Sequence, residues 1–175
     1  WAIERSSEDM LIGYLDTGVE FGHEDLTDNL YRNEADPING IDDDGDGYID
    51  NYVGWDFADN DNDPTADKNQ HGTLVIGMGS ASADNQVGMA GLGFNASYMP
   101  IKIFQSDNNL FGFGYEAIAY AADQGCKVIN LSWGGADAYS AFGQDMINYA
   151  VLEKDAVVVA AAGNSGEQED FYPAA

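Results

Sequence analysis

The sequence predicts an α/β fold in which a mostly parallel sheet carries helices on both faces. Three observations predict it. Strand-like and helix-like segments alternate along the second half of the chain, in the order strand, helix, strand, helix, strand. The strand candidates are continuous in Val, Ile and Ala, the pattern of strands buried on both faces. Asp16, Ser132 and Asn164 fall at or just past strand carboxyl ends, where sites form in open parallel sheets.

Each element has its own signal. Residues 10–15 are a short apolar run that ends on Asp16 and the turn-forming Thr17 and Gly18, a buried strand delivering a carboxylate at its carboxyl edge. From residue 33 to 69 the composition changes to Asp, Asn, Gly and Pro, a long acidic loop. A loop of that length inside a compact domain is functional or ordered by an ion. Regular structure returns at His71 with a helix of small residues, followed by a strand at 97–104 and a helix at 114–124. A strand at 127–132, a helix at 142–153 and a strand at 156–162 complete the pattern. With no internal repeat and no linker, residues 1–175 read as one portion of a single domain.

Composition narrows the function classes. Apolar residues make up 45% of the 175, enough for a core. Six basic residues against 31 acidic ones give a formal net charge of −25. Such a chain repels nucleic acid and anionic membranes and excludes both as partners. Its counter-charge is a cation, and the excess of Asp favours calcium, which takes carboxylate and carbonyl oxygens. Acidity also serves solubility and life in salt. Cys126 is the single cysteine, so neither an intrachain disulfide nor a zinc-binding cysteine pair is available. It sits among apolar residues as a buried, inert thiol. No apolar run reaches membrane-spanning length. Trp1 opens the chain without a basic, signal-like segment, as in a processed or trimmed protein.

Three motifs carry chemistry. Asp16, Thr17, Gly18 and Val19 form the first, followed by His23, Glu24, Asp25 and Leu26. His71, Gly72 and Thr73 open the small-residue helix. Ala161, Ala162, Gly163, Asn164, Ser165 and Gly166 close a buried strand. Between the last two stands the run from Asn130 to Gly135, with Ser132, Trp133 and Gly134 at its centre. Any one motif is weak evidence; all of them in this order resemble the subtilisin-like serine proteases, from about residue 10 to Ala175.

The resemblance implies a subtilisin-like three-layer fold, incomplete at its C-terminal side, and a secreted endopeptidase with a Ser-His-Asp triad. A serine hydroxyl needs an adjacent base, and His71 has the imidazole to act as one. Asp16 would hold its tautomer and stabilise the imidazolium. Asn164 would donate its side-chain amide to the developing oxyanion. His23, the other histidine, matches a family position outside catalysis. Ser132, Trp133 and Gly134 resemble the strand that pairs with an extended peptide substrate, and Ala161, Ala162 and Gly163 would line the primary pocket. Trp133 stands where the family more often has a smaller aliphatic residue. The stretch from Asn108 to Gly112 departs from the glycine-x-glycine of the second substrate strand.

The acidic insertion holds a calcium-loop pattern. Asp42, Asp44 and Asp46 supply alternate carboxylates, Gly47 a sharp turn and Tyr48 a backbone carbonyl. The twelfth position is Val53 rather than glutamate, and no amphipathic helices flank the loop, so it is not an EF-hand; Asp50 can replace the missing carboxylate. The competing reading is a solvated acidic turn. The resemblance implies a second calcium on Asp25, Asn85 and the carbonyls of Val87 and Met89. Both ions would be structural.

The family's nucleophile lies in a Gly-Thr-Ser-x-Ala segment beyond the asparagine motif, and no segment of this sequence matches it. The chain by itself is therefore expected to be inactive, with the remaining C-terminal part of the domain as its partner. Two alternatives of other classes stand beside the protease: a non-catalytic subtilisin-like domain that binds extended peptides, and a calcium-binding adhesion module. The latter accounts for the acidic loop but not for His71 and Asn164.

Overall fold

A computed structural model describes residue 7 and residues 9–104 and 113–175. The apolar run predicted at 10–15 forms β1, Leu11–Asp16. Within the acidic insertion a two-residue strand, β2 (Trp55–Asp56), joins the sheet, so the stretch 33–69 is not loop throughout. The His71 segment is helix α1, His71–Ser80. Then follow β3 (Ser97–Lys102), α2 (Gly114–Asp123) and β4 (Val128–Leu131). The remaining elements are β5 (Gly135–Ala136), α3 (Ala141–Asn148), β6 (Val157–Ala160) and β7 (Phe171–Tyr172). The helix expected at 142–153 changes character on the way: after Asn148 the turn Tyr149–Glu153 widens to a π-helix.

Strands β2, β3, β1, β4 and β6 form one sheet in that order, and every pair in it is parallel. Parallel neighbours need crossover connections, and the helices supply them. Side chains alternate across the sheet. Leu11, Leu15, Met99, Ile101, Ile129 and Leu131 face a cluster completed by Ala117, Ile118 and Ala121 of α2. Tyr14 and Tyr98 point to the other face, where they pack with Ile76 of α1. Fully burying an Ile or Leu is worth about 1.5–3 kcal/mol, so this interior holds the strands in register. Short side chains set the distances. A Cβ on Gly13 would stand 3.0 Å from the Cys126 sulfur, so β1 and the buried Cys126 pack without a spacer.

One expectation is corrected. Unbroken apolar strands were to be covered on both faces, yet in β6 Val157 and Val159 are 59% and 48% exposed. They lie on the α1 side, where an open groove of about 410 Å³ runs between Met78, Leu92, Val128 and Val159. Helix α1 covers β1 and β3 but does not extend over β4 and β6. The second layer is therefore complete on the α2 and α3 side and partial on the α1 side.

Candidate active site

Asp16 is the last residue of β1 and is buried. Its Oδ1 accepts the Thr17 backbone N–H at 2.7 Å. His71 opens α1, and its Nδ1 lies 2.7 Å from Oδ1 and 3.0 Å from Oδ2 of Asp16. The imidazole is half exposed while the carboxylate is not. A buried carboxylate on Nδ1 fixes that nitrogen as the proton donor, which leaves Nε2 as the acceptor.

Three further side chains hold this pair. Thr17 donates its hydroxyl to the Asn69 carbonyl and accepts the Gly72 N–H, both at 2.9 Å. It thus caps an early N–H of α1 from another segment, since Gln70 at the N-cap position makes no side-chain cap. Asn69 Oδ1 accepts the His71 N–H at 3.0 Å. Thr73 accepts the Glu20 N–H and donates to Gln70. The sequence offered one signal for these roles, short hydroxyl residues directly beside Asp16 and His71. Gly72 is required sterically: a Cβ there would stand 2.2 Å from the Gly18 carbonyl oxygen.

The other motifs arrive at the same edge of the sheet. Ser132, Trp133 and Gly134 continue from β4, and Asn130 donates to the Ser132 hydroxyl at 2.8 Å. Trp133 is buried edge-on against Tyr115, ring centroids 5.5 Å apart. Together with Phe104, Gly134, Ala138 and Tyr172 these rings line an apolar cavity of about 380 Å³. Ala161, Ala162 and Gly163 follow β6, and the Ala161 N–H bonds the Leu131 carbonyl. Gly163 has φ +90°, and a Cβ there would press on the Phe171 ring at 3.0 Å. Asn164 stands exposed just beyond. The pocket built by Phe104, Tyr115 and Tyr172 with Trp133 was not legible in the sequence. The departure at Asn108–Gly112 lies outside the described residues.

The acidic insertion is more folded than its composition suggests. Carboxylate oxygens of Asp36, Asp42 and Asp44 lie within 4.8 Å of one another. Asp36 is fully buried and accepts the Asp43 and Asn51 N–H groups, so its position is fixed from inside. It was missed because it precedes the repeating Asp pattern. Asp46 sits at the margin: it accepts from Tyr48 N–H, Asn51 and Gln124. Burial, with Asp44 nearby, pushes its carboxyl above the usual carboxylate range. The Tyr48 ring packs on Tyr120, Trp55 and Phe57. Asp50 accepts the Asn39 and Gly40 N–H groups instead of joining the three-carboxylate cluster. An all-carboxylate set suits a hard cation such as calcium.

At the other predicted metal site the structure brings Asp25, Asn85, Val87 and Met89 together. Asp25 is buried and accepts from Asn85 Nδ2 and the Met89 N–H, each at 2.8 Å. Asn85 Oδ1 accepts the Val87 N–H. Each Asp25 oxygen thus accepts one protein donor and keeps a lone pair for a further partner. His23 lies apart from the Asp16 pair and accepts the Asp25 N–H on Nδ1.

Known proteins resemble the chain along nearly its whole length. The model of the Subtilase family matches residues 7–174. The chain is 35% identical over 175 residues to a thermophilic serine proteinase of Bacillus sp. (strain AK1), covering 99% of this chain and 38% of that protein. It is 38% identical over 164 residues to thermitase of Thermoactinomyces vulgaris, covering 93% of this chain and 50% of that one. Among solved structures, the S41 psychrophilic protease superposes with a TM-score of 0.74 at 28% identity, over 97% of this chain and 52% of that one. Fervidolysin from Fervidobacterium pennivorans, a keratinolytic enzyme related to subtilisin, gives 0.71 at 28% identity, over 97% and 24%. The chain spans half or less of the length of these two relatives. With its parallel sheet, its paired Asp16 and His71 and a match along nearly its whole length, the chain belongs to the subtilase family.

Proposed function

We propose that this chain is part of a secreted, calcium-stabilised serine endopeptidase domain that cleaves proteins bound in extended conformation. The observation that carries the reading is the His71 Nδ1 bond to both oxygens of buried Asp16. That bond leaves Nε2 to take the proton of a serine hydroxyl as it attacks the scissile carbonyl, and to return it to the leaving amine. Asp16 stabilises the imidazolium formed in between. Asn164 would donate to the carbonyl oxygen as it becomes an oxyanion. Ser132, Trp133 and Gly134 would pair with the substrate backbone, and the cavity beside Trp133 would take an apolar or aromatic side chain.

The nucleophilic serine is contributed from outside these 175 residues. The bare apolar strip over Val157, Val159, Met78 and Leu92 supports that reading, because a continuous patch of this kind calls for a covering layer. A structural calcium on Asp36, Asp42 and Asp44, with Asp46 and the Tyr48 carbonyl at the margin, would neutralise the insertion. Asp50 supports that site by holding residues 39 and 40. A second ion beside Asp25 would draw on its carboxylate, the Asn85 side chain and the carbonyls of Val87 and Met89.

A fluorophosphonate probe, which labels only an activated serine, tests the reading on the complete protein. Labelling that disappears in His71→Ala supports the protease. A complete protein that binds extended peptides but takes no label establishes the alternative, a non-catalytic peptide-binding domain.

A further inference from the structure

Lys102 closes β3 and is buried, only 3% exposed. Its ammonium lies 2.8 Å from Asp56, 2.9 Å from Asp67 and 3.5 Å from Asp59. A lysine is almost never buried without such partners. The register makes the placement more specific. Lys102 is paired with Asp16 on β1 and with Asp56 on β2. Residues in register on parallel strands share a face. One row across three strand ends therefore reads Asp56, Lys102, Asp16, a cation between two buried carboxylates.

Asp56 and Asp67 mark the two ends of the last excursion of the acidic insertion before α1. A single ammonium ties both ends to the sheet, which removes the slack of the loop between them. On the other side the segment is pinned by backbone bonds, Val19 N–H to Pro64 O and Ala66 N–H to Val19 O. Two residues past Asp67 comes Asn69, whose carbonyl receives the Thr17 hydroxyl and whose side chain receives the His71 N–H. Asp67 is thus held two residues before the group that bonds both Thr17 and His71.

We infer that Lys102 is a positioning residue: by clamping Asp56 and Asp67 it sets the approach of His71 to Asp16. The inference rests on the reading of that pair as base and orienting carboxylate. The clamp does not compete for Asp16, whose oxygens serve Thr17 and His71. Burial alone would weaken the ammonium. The hydrogen bonds that it donates to Asp56 and Asp67 more than offset this and hold the Lys102 proton above the usual lysine range. The clamp therefore stays charged throughout the neutral and alkaline pH at which a histidine base works.

The test is the His71 Nδ1–H signal in the NMR spectrum and the proteolytic rate, both of the complete protein. Asp67→Asn cuts the link to His71 while leaving the Lys102–Asp56 pair, and Asp67 is exposed enough (43%) to tolerate the change. Hydrogen exchange of that proton is expected to quicken and kcat to fall on the order of tenfold, with KM little changed, as for a small misplacement of a reacting group. Lys102→Arg should retain more of the wild-type signal than Lys102→Met. Asp59→Asn, at the longest contact, should leave it in place. An unchanged His71 Nδ1–H signal in Asp67→Asn overturns the inference. A changed signal in a complete protein that hydrolyses nothing keeps the clamp and discards the protease reading instead.

Discussion

His71 Nδ1 bonds both carboxylate oxygens of Asp16 across a sequence separation of 55, with the carboxylate buried and the ring half exposed. That asymmetry is what a base needs: a fixed, desolvated partner on one nitrogen and an open path to the other. Replacing the carboxylate by an amide would let the ring flip its tautomer. Asp16→Asn in the complete protein is expected to lower kcat about 10⁴-fold with near-normal substrate binding. Steady-state kinetics on a chromogenic peptide checks this.

Gly72 lies where α1 crosses the loop after β1. A Cβ there would stand 2.2 Å from the Gly18 oxygen, and backbone cannot retreat as a side chain can. Gly72→Ala should destabilise by about 1–3 kcal/mol, read as a lower midpoint in urea. A change within experimental scatter would mean the loop yields more easily than its packing implies.

Calcium removal is the test of the acidic insertion. Chelation should lower the melting temperature, and the loss should be reversed by calcium but not by magnesium, which dehydrates reluctantly. Asp36→Asn and Asp42→Asn should weaken calcium binding at least about tenfold, a cost of roughly 1.4 kcal/mol. Asp50→Asn should lower stability through the Asn39 and Gly40 turn. Titration calorimetry separates the two effects.

Cys126 supplies a pH dependence. Burial pushes its thiol up to about 12 from an ordinary value of 9.0. Above pH 9 the unfolded chain releases a proton that the folded chain keeps. The contribution is therefore complete below pH 9 and is lost as pH rises toward about 12, by at most about 1.4 kcal/mol per pH unit. Cys126→Ala should flatten this part of the stability profile. At pH 8 the native thiol should resist iodoacetamide and react only on denaturation.

Much of the architecture was legible in the residues themselves. The run at 10–15, the small-residue helix at His71 and the Val-rich strands each announced their element, because local periodicity reports burial directly. Strand β2 was not legible: two residues inside an acidic stretch carry no periodicity, and only their register with Ile101 and Lys102 makes them a strand. The bare face of β6 was equally hidden. A buried and a half-covered parallel strand are written in the same apolar alphabet, and coverage depends on which helix lies above.

For the site, sequence by itself determined the chemistry on offer: a carboxylate at a strand end, an imidazole at a helix start, an amide past a later strand and a carboxylate-rich insertion. Tertiary structure decided which of these meet. It placed buried Asp36 beside Asp42 and Asp44, put Asp50 on the Asn39 and Gly40 turn, and set Lys102 between the strand ends of Asp56 and Asp16. The physical reason is range. Motifs record residue types along the chain, whereas charge pairing in a buried interior is settled by distances of about 3 Å between segments the chain order keeps apart.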